Sequence, residues 1–133
     1  MTIRPLTDSD YDNILVGWWA DWGFEAAPPK EMLPDIGFIA FDDDVPVSSC
    51  VVYTTNSKVA WITWILSNRA YRKKPSRRFI LSEMLEEACQ YARKCGYNII
   101  YTATNNAHAI RCFKDAGFIV SSTNTHELIK LWD

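Results

Sequence analysis

With 133 residues, 48% of them hydrophobic, the chain is long enough for one packed core and too apolar for intrinsic disorder. No apolar run has the length of a bilayer crossing and Met1 to Asp10 carries no signal-peptide core, so a cytoplasmic protein with no membrane partner is expected. The 14 basic and 16 acidic residues leave a net charge of −2, which argues against a protein that coats nucleic acid.

Thr2–Leu6 reads as a short first strand. Thr7, with Asp10 three residues on, then fits a helix start of the capping-box kind, and the helix runs to about Trp22. Trp18, Trp19, Trp22 and Phe24 place four large aromatics in seven residues, more than one core stripe of a helix holds. They either pack in the core or leave Trp19, Trp22 and Phe24 to line a binding groove. Pro28 and Pro29 suit the first turn of a short helix over 30–33. Strands follow over 37–41 and 45–55. The turn between them, Asp42 to Asp44, reads as a solvated hairpin tip and not as a metal site. After a turn at 56–58, Val59 to Ser67 is apolar and rich in β-branched and aromatic residues, the pattern of a strand buried on both faces.

Six cations then fall within ten residues: Arg69, Arg72, Lys73, Lys74, Arg77 and Arg78. Without them, eight basic residues face sixteen acidic ones, so the positive charge is local. Ser76 to Lys94 is a periodic helix with Leu81, Leu85, Ala88 and Ala92 on one stripe, ended by Gly96. Strand, basic turn and helix start together form an arrangement that binds phosphate, because free N–H groups and the helix dipole point at the anion. A small polyanion is the expected ligand; a solvated basic turn is the plainer alternative.

Tyr97 to Ala103 reads as the next strand, parallel to 59–67 through a right-handed crossover. A helix over 107–116 stops at Gly117, and strands at 118–122 and 127–132 form a last hairpin. The sum is one α+β domain over residues 1–133, with a mixed, mostly antiparallel sheet, two central parallel strands and helices on both faces. The exposed final strand, Glu127 to Trp132, offers an edge to a second copy, so a homodimer is a candidate assembly. Cys50, Cys89, Cys95 and Cys112 show no C-x-x-C pair and no metal spacing, so reduced structural thiols and no metal are expected, with Cys112 a small core residue. His108 reads as exposed or capping at a helix start, and His126 has no assigned role.

Two segments carry a resemblance. Asn106-Ala107-His108-Ala109-Ile110-Arg111-Cys112-Phe113-Lys114-Asp115-Ala116-Gly117-Phe118 is similar to the Asn-x-x-Ala-x-x-x-Tyr-x-x-x-Gly-Phe segment of the GNAT superfamily of acyl-CoA N-acyltransferases. Ala70-Tyr71-Arg72-Lys73-Lys74-Pro75-Ser76-Arg77 resembles the same superfamily's Tyr-Arg/Gln-x-x-Gly-x-Gly loop, with Pro75 and Arg77 in place of its glycines. The chain is also similar to short acetyltransferase-like proteins encoded by bacteriophages.

The resemblance implies a GNAT-like fold and an N-acyltransferase that moves an acetyl or other short acyl group directly from coenzyme A to a primary amine on a small molecule or protein. Its co-substrate would be acetyl-CoA, with no metal. Ile65 and Ser67 would meet the pantetheine arm through their backbones. Arg72 and Ser76 lie in the phosphate loop, where backbone N–H groups of Lys73, Lys74, Arg77 and Arg78 would surround the pyrophosphate. Asn106 would meet the pantetheine or cap its helix. Phe113, at the family's usual tyrosine position, has no proton to give and would pack against coenzyme or core. Tyr101, Cys112 or water remain as donors to the leaving sulfur. Trp61 and Thr63 stand where some relatives keep a carboxylate base, leaving Asp21 and Glu25 as candidates. An aromatic wall beside them would suit a cationic amine. The alternative is an inactive protein of the same fold that binds coenzyme A, a partner protein or nucleic acid.

Overall fold

The computed structural model describes residues 1–132. β1 (Thr2–Pro5) leads to α1 (Asp8–Asp10), a π-helical stretch (Tyr11–Leu15) and α2 (Val16–Asp21), which form one winding helical path. A 3₁₀ turn (Lys30–Met32) precedes β2 (Gly37–Asp42), β3 (Val45–Thr54) and β4 (Val59–Ser67). Another 3₁₀ turn (Arg69–Tyr71) leads to α3 (Arg77–Lys94), β5 (Ile99–Tyr101) and α4 (Ala107–Asp115). The strands lie in the order β1-β2-β3-β4-β5. All neighbours are antiparallel except β4 and β5, which run parallel with α3 as their crossover. This is the mixed sheet expected from the sequence.

Alternation along the strands builds a core on each face. Phe38, Ala40, Val47, Val52, Ala60 and Ile62 face α3, whose buried stripe is Ile80, Leu81, Met84, Leu85, Ala88 and Ala92. On the other face Ile39 and Leu66 pack against Leu15, Trp18 and Trp19 of the N-terminal helical path. That path starts as the sequence suggests. The Thr7 N–H donates to Asp10 Oδ2 at 2.7 Å, and Arg4 donates to both oxygens of Asp10 at 2.7 and 2.9 Å. The ion pair holds the Asp10 carboxyl down at about 2, with the Arg4 hydrogen bonds as the largest cause.

Four expectations need correction. β4 is not buried along both faces: Trp61 is 38% exposed, because α2 covers only the far end of the strand. Trp19 is 4% exposed and packs edge-on against Trp64, so it does not line a groove. β5 spans three residues where seven were expected, because β4 bends away from it. The last two strands are absent among the described residues: no part of 118–132 is a strand, since an extended segment becomes one only by pairing.

Candidate functional site

The site begins with a defect in β4. Val51 pairs with Thr63 and Ser49 with Leu66, so Trp64 and Ile65 stand opposite Cys50 alone. Trp64 takes the left-handed conformation, φ 51°, which is costly for a bulky residue. Its indole Nε1 donates to the Tyr53 hydroxyl at 2.9 Å, and that hydroxyl donates to the Met32 carbonyl at 2.6 Å. A bulge bends its strand. The β4–β5 ladder accordingly stops at Trp61 and Tyr101, and Thr63 to Ser67 continue with no β5 beside them. Ile65 and Ser67 lie on this open stretch. The Ser67 carbonyl is already taken, however, by the Trp22 indole N–H at 2.7 Å.

The cationic turn follows. Asn68 anchors it: its Oδ1 accepts from the Ala70 N–H at 3.1 Å and its Nδ2 donates to the Pro46 carbonyl at 2.9 Å. Tyr71 is buried, and its hydroxyl donates to the Asp42 carboxylate. That carboxylate raises the phenol pKa as the leading cause. The Ser76 hydroxyl lies 2.7 Å from the Tyr71 oxygen, whose own proton is committed to Asp42, so Ser76 is the donor. Asp42 is thus more than a solvated tip.

Two of the four amides expected around a pyrophosphate are used internally. The Lys74 N–H donates to the Tyr71 carbonyl at 3.0 Å and the Arg77 N–H to the Lys74 carbonyl at 3.2 Å. The N–H groups of Lys73, Arg78 and Phe79 have no partner among the described residues. At α3, the N-cap residue Ser76 makes no side-chain cap.

The six cations divide. Arg69 donates to the Asp21 carbonyl at 3.0 Å and lies over the Trp22 ring, tying the turn to the end of α2. Arg72 donates to the Arg69 carbonyl at 3.1 Å. The Arg78 guanidinium grips Asp115 of α4 at 2.6 and 2.9 Å, so its head is not available to a phosphate. Lys73 and Lys74 are exposed and pair with no acid among the described residues. Arg77 is half-buried, its Nε has no partner, and desolvation lowers its pKa. An unpaired cation trio beside free N–H groups and an open strand is a donor set that fits a diphosphate on an extended arm. A cavity of about 340 Å³ lies on the hairpin side of the turn; Lys74, Tyr71 and Ser76 line it with Asp42 and Asp43, whose carboxylates would repel a phosphate there.

Around α4 the assignments shift. The Asn106 Oδ1 accepts from the Ala109 N–H at 2.9 Å, so its carbonyl caps the helix. Phe113 is buried in the core and meets Phe118 edge-on at 4.9 Å. Cys112 is buried, as expected, and its thiol pKa is raised, chiefly by desolvation. His108 is half-buried, 3.7 Å from the Cys112 sulfur; burial first, then Arg77, Arg111 and Arg78, lower its pKa. Asp21 and Glu25 are exposed near the end of α2, Trp22 and Phe24 are partly exposed beside them, and the Tyr101 ring lies against Trp61 at 5.4 Å. No hydrogen bond joins Asp21, Glu25 and Tyr101 among the described residues. Sequence reasoning missed the Trp64 bulge, since no glycine, asparagine or aspartate marks a left-handed residue in this strand. It also missed the Tyr71 link to Asp42, although Tyr71 heads the loop motif. No group of three or more His, Cys, Asp or Glu side chains able to hold a metal occurs among the described residues.

A model of the acetyltransferase (GNAT) family matches residues 5–118. Comparison of the sequence with curated proteins finds no match. Among solved structures the chain is similar to one described as "a probable acetyltransferase", at 18% identity and TM-score 0.73, covering 100% of this chain and 99% of that one. It is also similar to an aminoglycoside acetyltransferase from an uncultured soil metagenomic sample, solved with trehalose, at 13% identity and TM-score 0.71, covering 98% and 96%. A Trypanosoma brucei acetyltransferase matches at 12% identity and TM-score 0.65, covering 96% and 99%.

Proposed function

We propose that this chain, which belongs to the acetyltransferase (GNAT) family, transfers an acetyl or other short acyl group from coenzyme A directly to a primary amine. Members of the family use acetyl-CoA as a co-substrate. The observation that carries the reading is the continuity of two features. The stretch of β4 without a β5 neighbour ends at Ser67, and the turn with free N–H groups and unpaired Lys73, Lys74 and Arg77 starts one residue later. One accommodates an extended arm and the other its phosphates.

The thioester supplies a carbonyl open to attack and a thiolate leaving group. The protein's part is to align the amine with it, which alone lowers the barrier substantially. Asp21 or Glu25 would take the amine proton, and Trp22 and Phe24 would border the acceptor. Tyr101 would donate to the sulfur in place of the tyrosine that Phe113 replaces. A thiolate with a free pKa of about 8.5 also leaves tolerably without help. The buried, proton-free Phe113 favours a second reading, a protein that binds coenzyme A without turnover.

Calorimetry with acetyl-CoA, coenzyme A and adenosine 3′,5′-bisphosphate tests the binding. All three should bind, since the phosphates provide the grip. Thiol release against a panel of amines then separates enzyme from binder. No binding of any of the three ligands would remove the proposal.

A further inference from the structure

Resting on the coenzyme reading above, we infer that the acceptor is a primary amine carrying a flat aromatic ring, which stacks on Trp61 and Tyr101. Three observations carry it. First, the sheet holds an aromatic row on the face opposite α3. Ala60 and Ile62 pack towards α3, so Trp61 between them points to the other face. Its direct partners are Tyr53 on β3 and Tyr101 on β5, and residues directly opposed across a ladder share a face. The Trp61 and Tyr101 rings lie 5.4 Å apart with 31° between their planes. Tyr53 is held in place through its hydroxyl, which bonds the Met32 carbonyl and the Trp64 indole.

Second, this part of the face is uncovered. Trp61 is 38%, Tyr101 46% and Ile99 beside them 49% exposed. Farther along the same face, Trp18 and Trp19 close over Ile39 and Leu66 as core. The aromatic row is therefore the open half of a face whose other half is packed.

Third, its place and its lack of charge select the occupant. The β4–β5 ladder ends at Trp61 and Tyr101, and the open stretch of β4 lies beyond them, up to Ser67. An acyl arm anchored at the cationic turn and running back along that stretch brings its reacting end to the fork, beside these two rings. β3, β4 and β5 contain no charged residue. A polyamine would bring further ammonium groups to a floor that offers them no carboxylate. An amine with one aromatic ring brings a single nitrogen to react and an apolar face to stack.

Calorimetry of amines titrated into the chain saturated with coenzyme A tests this whether or not turnover occurs. 2-Phenylethylamine should bind about fivefold more tightly than 2-cyclohexylethylamine, which is of similar size but has no π-face, and more tightly than spermidine. Trp61→Leu should abolish the preference for the aromatic ring and Trp61→Phe should keep most of it, with circular dichroism reporting the fold of each. The wild-type comparison decides the matter even if the leucine variant does not fold. Equal affinities for the two ring amines, tighter binding of spermidine, no binding of any amine at millimolar concentration, or a preference indifferent to Trp61→Leu overturns the inference and leaves the coenzyme reading standing. Failure of coenzyme A itself to bind removes that reading, and the inference with it.

Discussion

The starts of α3 and α4 are built alike and behave differently. Each helix follows a strand of the parallel pair and a turn. At α4, the Asn106 side chain accepts from the Ala109 N–H at 2.9 Å and closes the helix end. At α3, the corresponding Ser76 hydroxyl is turned to Tyr71, and the N–H groups of Arg78 and Phe79 stay open. The α3 start therefore keeps N–H groups free for an anion, whereas the α4 start has one of its own closed by a side chain. The Tyr71 link to Asp42 keeps Ser76 engaged, and the unpaired cations stand at this end and not the other.

The most forceful way to break the contrast is to reverse the free charges. Lys73→Glu with Lys74→Glu should weaken acetyl-CoA binding about 100-fold, with unchanged circular dichroism; calorimetry checks it. A smaller effect tests a helix start closed by a carboxylate, that of α1. Asp10→Asn should cost about 2 kcal/mol at pH 7 in denaturant unfolding. The native Asp10 carboxyl is depressed to about 2, so its contribution is present above the unfolded pKa of about 4. It is lost as pH falls through 2, so the variant and wild-type curves should converge there.

Tyr71→Phe sharpens the comparison. It frees the Ser76 hydroxyl to cap α3, so acetyl-CoA affinity should fall about tenfold while the helix is retained. Asn106→Ala is the gentlest probe. It should lower stability by about 1 kcal/mol and leave coenzyme affinity within about twofold, because the unpaired cations stand at the α3 start and not at this one.

Much of this was legible from local chemistry. The α3 stripe, the Thr7 and Asp10 start, the span of β4 and the parallel crossover all follow from periodicity and capping. The cationic turn was visible as a charge cluster, and the two family segments stood out at their spacings. Which cation is free was not legible. Arg78 is held by a residue 37 positions away, and Arg69 by a carbonyl 48 positions away. The burial of Trp19 likewise depends on Trp64, distant in sequence and reached only through the sheet.

The sequence by itself determined the order and type of most elements and the place of the positive charge, because capping, periodicity and composition act within a few residues. Tertiary structure alone decided the bulge at Trp64, the early end of the β4–β5 ladder and the engagement of Ser76. Those outcomes rest on contacts that the fold brings together, such as Trp64 with Tyr53 and Tyr71 with Asp42, and a hydrogen-bonding group has no fixed partner until the fold brings one within reach.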